Sequence, residues 1–280
     1  MKECIVLILC RSLILLLLSE CLAWSQAEQK HQPIIDMHVH YSVERALQLL
    51  GFEVKQLHKL PSDDSFRLSV TRLKQEVTAD RAAGKVPFCV VANAGTPNTG
   101  AVDPLIETAE VCKQEGLWFH VDGAYGAPAV PCEKGRSLLR GLELADSLTL
   151  DPHKWLFQPF EIGCVLIRDV HLLKEAFAVR PEYLKDLEST DEEVNFYNYG
   201  IQLSRSFRAL KLWMSLKVFG LDAFRKAVAR GFASRVCRNP IEGFAPLGDC
   251  YRRQHGHSNF PIRPRKGISG RLGSSKPANR

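Results

Sequence analysis

Lys154 stands just past the short apolar run "SLTL", between His153 and Trp155 in "DPHKW". A lysine in a partly desolvated pocket can act as a Schiff-base nucleophile, because burial disfavours its ammonium form. The plainer alternative is a solvated loop lysine. One crossover unit upstream, Asp122 closes the apolar run "LWFHVD" and is followed by the small residues "GAYGAPA". A carboxylate among Gly and Ala at a strand end leaves room for a flat ring; a helix cap or a turn aspartate is the bland reading. A third group lies in "IIDMHVHYSVERALQLLG". There the strand-end pattern Asp36-x-His38-x-His40 sets two imidazoles on alternate residues, both facing one side as metal ligands would, and His40 also stands directly ahead of a helix-like pattern.

These residues need elements to position them. "VPFCVVAN", "LWFHVD", "SLTL" and "GCVLIRD" read as buried strands, and "FEVKQLH" as a shorter one. Between them, "RLSVTRLKQEVTADRAAG", "PLIETAEVCKQEG", "SLLRGLELA" and "VHLLKEAFA" read as helices, two of them closed by Gly84 and Gly116. Ser42 is the expected cap of a helix running to Leu50. "SFRALKLWMSLKVFG" and "LDAFRKAVARGF" add two amphipathic helices. Strands separated by helices of this length predict an α/β sheet with ligands beyond the carboxyl ends of its strands. Asn93 to Thr96, Asp122 and the segment 151–154 are expected to converge there.

The chain has 280 residues, 45% of them hydrophobic, which suffices for one sizeable core and an appendage. Its net charge of +6 comes from the tail, where residues 251–280 hold Lys and Arg but no Asp or Glu. The core is therefore not expected to bind a specific nucleic acid. Nine Cys, an odd count without a C-x-x-C pair, argue against a disulfide scaffold. The organisation read from the chain is a leader over 1–25, a linker of foreign-looking origin over 26–39, a cofactor-binding domain over 40–236 and a basic, disordered tail over 237–280. The leader resembles a secretory signal peptide, with an apolar run too short for a stable membrane span. The core composition is of cytoplasmic type, so localisation stays open.

Asp122 and Lys154 together are more specific than either alone. A carboxylate for a pyridine nitrogen and a lysine for an aldehyde are the two groups a pyridoxal 5'-phosphate (PLP) enzyme needs. Six stretches, "HYSVERALQLLG", "NAGTPNTGAVDPL", "FHVDGAYGAPA", "DPHKWLFQPFEIGCVLIRD", "RPEYLKD" and "LSRSFRALKLW", follow in the order of one family. Over roughly His40 to Gly231 the chain resembles the PLP-dependent group II decarboxylases, most of all the aromatic-L-amino-acid decarboxylases. The resemblance implies the large domain of fold type I, a mainly parallel sheet with helices on both faces, here incomplete. It implies PLP as cofactor, removal of carbon dioxide from an aromatic L-amino acid to leave its amine, and a homodimer. By position, Lys154 would be the Schiff-base lysine, Asp122 the partner of the pyridine nitrogen, Ala124 a neighbour of one ring face and His40 the stacking group on the other. Asp151, His153 and Thr96 would line the cofactor. Tyr183 would return a proton to carbon after carbon dioxide leaves, and Arg205 would lie near the substrate carboxylate.

The sequence departs from that family in places. Pro97 replaces a hydroxyl residue close to the cofactor, and Asp151 stands where many animal members have Asn. The N-terminal region that would carry dimer-clasping helices and a phosphate loop is not recognisable, nor is the C-terminal small domain. Two rival readings follow: an inactive decarboxylase fragment, and a zinc amidohydrolase built on His38 and His40. The second lacks further spaced ligands, so no metal site is expected.

Overall fold

The computed structural model describes residues 6–7, 31–36, 40–177 and 194–233, the first two stretches as backbone only. Seven strands form one sheet: β1 (Val6–Leu7), β2 (His31–Asp36), β3 (His58–Leu60), β4 (Val86–Asn93), β5 (Trp118–Asp122), β6 (Ser147–Leu150) and β7 (Cys164–Ile167). Their order across the sheet is β1-β7-β6-β5-β4-β2-β3. β3, β2, β4, β5 and β6 run parallel, and β7 and β1 join antiparallel. The segment expected to be a linker thus contributes β2, paired on both sides.

Seven α-helices accompany the sheet among the described residues: α1 (Tyr41–Leu49), α2 (Val70–Ala82), α3 (Leu105–Glu115), α4 (Glu133–Leu138), α5 (Val170–Phe177), α6 (Ala209–Phe219) and α7 (Leu221–Ala233). Side chains alternate along a strand, so each strand feeds two cores. Val90, Ala92, Phe119 and Val121 pack with Leu73 and Val77 of α2, Leu105 and Ala109 of α3, and Val228 of α7. Cys89, Val91, Val165 and Ile167 pack with Val43, Ala46 and Leu47 of α1 and Leu173 of α5. Helices therefore cover both faces, as expected for an α/β sheet whose strands are continuous apolar runs. Burial pushes the Cys112 thiol up to about 12, which leaves it an inert core residue.

Three local expectations are corrected. α1 begins one residue before Ser42, and its N-cap is His40, whose Nδ1 accepts the Ser42 backbone N–H at 3.3 Å. An imidazole nitrogen here does the capping work usually given to a hydroxyl. "FEVKQLH" is a 3₁₀ turn over Val54–Gln56 ahead of the short β3, because Gln56 Oε1 accepts the Glu53 backbone N–H at 2.7 Å and bends the chain. "SLLRGLELA" is not one helix: α4 stops at Leu138, and Gly141 turns the chain at φ +96° before a 3₁₀ turn over Leu142–Leu144. Among the described residues no helix is long and apolar enough to cross a membrane.

Candidate active site

Register brings the polar strand ends together. β4, β5 and β6 are neighbours, with Asn93 opposite Asp122 and Asp122 opposite Thr149. Past the strand ends, loop backbones bond to one another. Ala94 N–H donates to the Asp122 carbonyl at 2.9 Å, and Asp151 N–H donates to the Ala124 carbonyl at 3.2 Å. These two bonds stitch the loops carrying Thr96, Asp122 with Ala124, and Asp151 with Lys154 into one cluster.

Gly126 makes this closeness possible. A Cβ there would lie 2.1 Å from the Ala94 carbonyl oxygen, so no side chain fits between the first two loops. Asp103 fixes the same corner from below. Its buried carboxylate accepts the Leu68 N–H at 2.7 Å and the Asn93 N–H at 2.6 Å. Its own N–H donates to the Asn93 carbonyl at 3.0 Å. The loop between them is further closed by Thr96 N–H donating to the Ala101 carbonyl at 3.0 Å and by Thr96 Oγ1 lying 2.6 Å from Thr99 Oγ1.

Asp122 is half-buried, and Oδ1 accepts both the Ala124 N–H at 3.0 Å and the Thr149 hydroxyl at 3.3 Å. Two bonds to one oxygen fix the orientation of the carboxylate. Lys154 Nζ lies 2.9 Å from Asp151 Oδ2, with a quarter of its side chain exposed. The Asp151 carboxylate therefore pairs with the Lys154 side chain directly. His153 is anchored on its far side, Nδ1 lying 2.5 Å from the Ile162 carbonyl oxygen, while Nε2 faces Asp151 Oδ2 at 3.6 Å.

The remaining expected site residues are placed less tightly. His40 caps α1, whose buried residues cover the sheet face that Asp122 shares; its Nδ1 lies 2.8 Å from Ser42 Oγ and its ring tilts on Tyr41. Arg205 donates to the Phe196 carbonyl at 3.2 Å, and burial, then the neighbouring Arg208 charge, pulls its guanidinium below the usual range. That segment reaches the lysine loop through Arg208, which donates to Glu161 Oε1 at 2.8 Å, and Lys211, which donates to the Glu161 carbonyl at 2.9 Å. Tyr183 and His38 lie outside the described residues.

Sequence reading missed Asp103, Thr149, Gly126 and His120. Thr149 could have been found by alternation in "SLTL", since it faces the same side as its in-register partner Asp122. A separate group, His58, Glu76 and Asp80, has its ligand atoms within 4.8 Å of one another, as a metal site would. Lys85 Nζ already lies 3.1 Å from Asp80 Oδ1, and His58 Nδ1 lies 2.7 Å from Glu76 Oε1. We therefore read it as an ion-paired bracket tying β3 to α2.

The geometry can be set beside known proteins. A family profile described as the pyridoxal-dependent decarboxylase conserved domain matches residues 25–238. The chain belongs to the pyridoxal-dependent decarboxylase family. It is 55% identical over 193 residues to an aromatic-L-amino-acid decarboxylase of Bacillus atrophaeus, a match covering 69% of this chain and 40% of that one. The crystal structure of Catharanthus roseus tryptophan decarboxylase in complex with L-tryptophan superposes with a TM-score of 0.73 at 27% identity, covering 90% of this chain and 52% of that one. The Oryza sativa TDC with PLP and tryptamine gives a TM-score of 0.72 at 30% identity, covering 79% and 48%. The chain thus spans about half the length of the decarboxylases it matches.

The fold is that of the family's PLP enzymes, an α/β unit with a mostly parallel sheet. The donor set fits the cofactor at two points. Asp122, with its hydrogen bonds on Oδ1, suits a protonated ring nitrogen, and Lys154, partly exposed on the loop that bonds to Ala124, suits an aldehyde carbon.

Proposed function

We propose that this chain forms the cofactor-binding core of an enzyme that removes carbon dioxide from an aromatic L-amino acid and leaves the amine. The observation that carries this reading is the Asp151 N–H bond to the Ala124 carbonyl, which holds the loop of Lys154 against the loop that follows Asp122. The names of its decarboxylase relatives support the substrate class. When bound, PLP supplies an electron sink for the bond that breaks.

In this proposal each residue has one task. Lys154 holds the cofactor covalently and orients it. Asp122 carries the counter-charge to the ring nitrogen. Ala124 and His40 bracket the ring faces, with Thr96, Asp151 and His153 around its edge. Arg205 binds the substrate carboxylate in the ground state. Tyr183 delivers a proton to the carbon that has lost its carboxylate; a tyrosine there favours the amine over the aldehyde. A homodimer belongs to the same proposal.

The test is direct. The purified chain is incubated with PLP, reduced with borohydride and digested. The expected result is one modified peptide containing Lys154, absent from Lys154→Ala. Labelling spread over other lysines, or unchanged in that variant, would remove the cofactor role. Carbon dioxide release from L-tryptophan and L-DOPA then tests turnover, with Tyr183→Phe expected to shift product from amine toward aldehyde. An unchanged product ratio would take Tyr183 out of the proton-donor role.

A further inference from the structure

Two positions before Asp122, on the same face of β5, stands His120. It is fully buried. Its strand partner on β6 is Ser147, just as Thr149 is the partner of Asp122. The Trp118 indole can only donate, so Ser147 Oγ accepts from Trp118 Nε1 at 2.8 Å. The Ser147 hydroxyl hydrogen is then available for His120 Nδ1, also at 2.8 Å. A ring that accepts at Nδ1 carries its proton on Nε2 when neutral. Burial lowers the His120 pKa to about 4 against the opposing pull of the Asp122 charge, so the ring is neutral near pH 7. Its Nε2 is buried and has no hydrogen-bond partner among the described residues.

A buried donor without a partner is uncommon and calls for an explanation. Among the described residues, its neighbours on the adjoining strands carry no charge. From β4 the neighbours are Val91 and Asn93, from β6 Ser147 and Thr149, and from α1 the buried Val43, Ala46 and Leu47. Asp122 is the charged group that acts on the ring. Residues two apart on a strand are separated by about 6.5 Å, which an imidazole and one water together can span.

We propose that His120 is a positioning residue for Asp122: its Nε2–H, oriented by the Trp118–Ser147 relay, donates through one buried water to the Asp122 carboxylate and fixes that carboxylate's rotation toward the cleft. The proposal rests on the reading that Asp122 serves the cofactor ring. With Oδ1 already held by the Ala124 N–H and the Thr149 hydroxyl, a further bond from the core side would leave the carboxylate a single orientation. A residue that acts only by filling space would not need a defined tautomer.

The full chain labelled with ¹⁵N-histidine gives the first readout, without cofactor. The His120 signals should show the Nε2–H tautomer, and Asp122→Asn should lower the pH at which the ring titrates. A dominant Nδ1–H tautomer, or a midpoint indifferent to Asp122→Asn, overturns the relay. The second readout is PLP affinity, followed by the visible band of the bound cofactor. His120→Phe should weaken binding roughly tenfold and shift the pH dependence of that band, while His120→Gln, which keeps a donor, should recover most of both. Equal affinity and pH profile in wild type and His120→Phe overturn the proposal. If His120→Phe does not fold, Ser147→Ala removes the relay alone; it should mix the tautomers and weaken binding severalfold, and no change in either overturns it. Failure of wild type to form the Lys154 adduct would sink the cofactor reading, and the tautomer measurement decides the relay independently of it.

Discussion

The loops beyond β4, β5 and β6 and the helix α6 are built on opposite terms. At the strand ends, backbone bonds join neighbouring loops, Gly126 packs against a carbonyl, and Asp103 accepts buried N–H groups from two segments. α6 has no buried residue. Leu210, Trp213, Met214 and Val218 recur at helical spacing on one side, and all are exposed, Val218 by 72%. An amphipathic helix ordinarily turns such a stripe inward. The inner side of α6 holds only half-buried Leu212 and Leu216 beside polar bonds: Ser215 Oγ donates to Gln158 Oε1 at 3.0 Å, and Lys211 Nζ donates to the Pro159 carbonyl at 3.3 Å. The strand-end cluster is completed by its own sheet, whereas α6 presents apolar surface outward. Mutations should therefore cost much in the first region and little in the second.

The largest effect is expected at Gly126. A methyl group 2.1 Å from the Ala94 oxygen meets the backbone of Ala94 and Gly95 and cannot be relieved by a rotamer change. Gly126→Ala should lower unfolding free energy by more than about 3 kcal/mol in a urea titration, or prevent folding. The control is Gly84→Ala, where φ is +73° but nothing lies within 4 Å, so only backbone strain of about 1 kcal/mol applies. Asp103→Ala comes next. It leaves the Leu68 and Asn93 N–H groups unsatisfied, at a combined cost of about 3 kcal/mol. A loss under about 1 kcal/mol would mean that the corner is not held as described.

Much of this was legible in the sequence, for physical reasons. Continuous apolar runs marked β4, β5 and β6, and Asp122 and Lys154 at their ends marked the strand-end cluster. What could not be read was pairing. β2 is a strand because β3 and β4 flank it, and nothing in "HQPIID" states that company. Asp103 carried no signal in the sequence, since its value lies in N–H groups from distant segments. His120 was missed although it alternates with Asp122 in "FHVD", and its tautomer depends on Ser147, a residue supplied by another strand. The broken helix at Gly141 and the 3₁₀ turn at Val54–Gln56 depend on short-range geometry that hydrophobic period alone does not encode.

A pH titration sharpens the contrast more gently. The His120 pKa of about 4 in the folded chain lies below 6.5 in the unfolded one. Between those values the unfolded state takes up a proton that the folded state refuses. Stability is therefore complete above pH 6.5 and falls as pH drops toward 4, by about 2 kcal/mol between pH 7 and pH 5. His120→Gln should flatten this part of the curve. An unchanged slope in the variant would assign it to other groups.

The smallest expected effect is on α6, and it is the one that could break the comparison. Met214→Gln and Val218→Thr replace apolar groups on the exposed stripe while leaving Ser215 and Lys211, and hence the polar attachment, in place. If the stripe faces water, each should change unfolding free energy by no more than about 0.5 kcal/mol. Solubility should improve, because a contiguous apolar surface favours association. If the stripe is covered in solution by another copy, the same pair should lower the sedimenting mass, make the loss of stability depend on protein concentration and cost about 1 kcal/mol or more. Sedimentation and urea unfolding at two protein concentrations separate the outcomes. A concentration-dependent loss would mean that α6 is buried after all, by a surface outside its own fold, and that the two regions differ in who supplies the partner rather than in whether one exists.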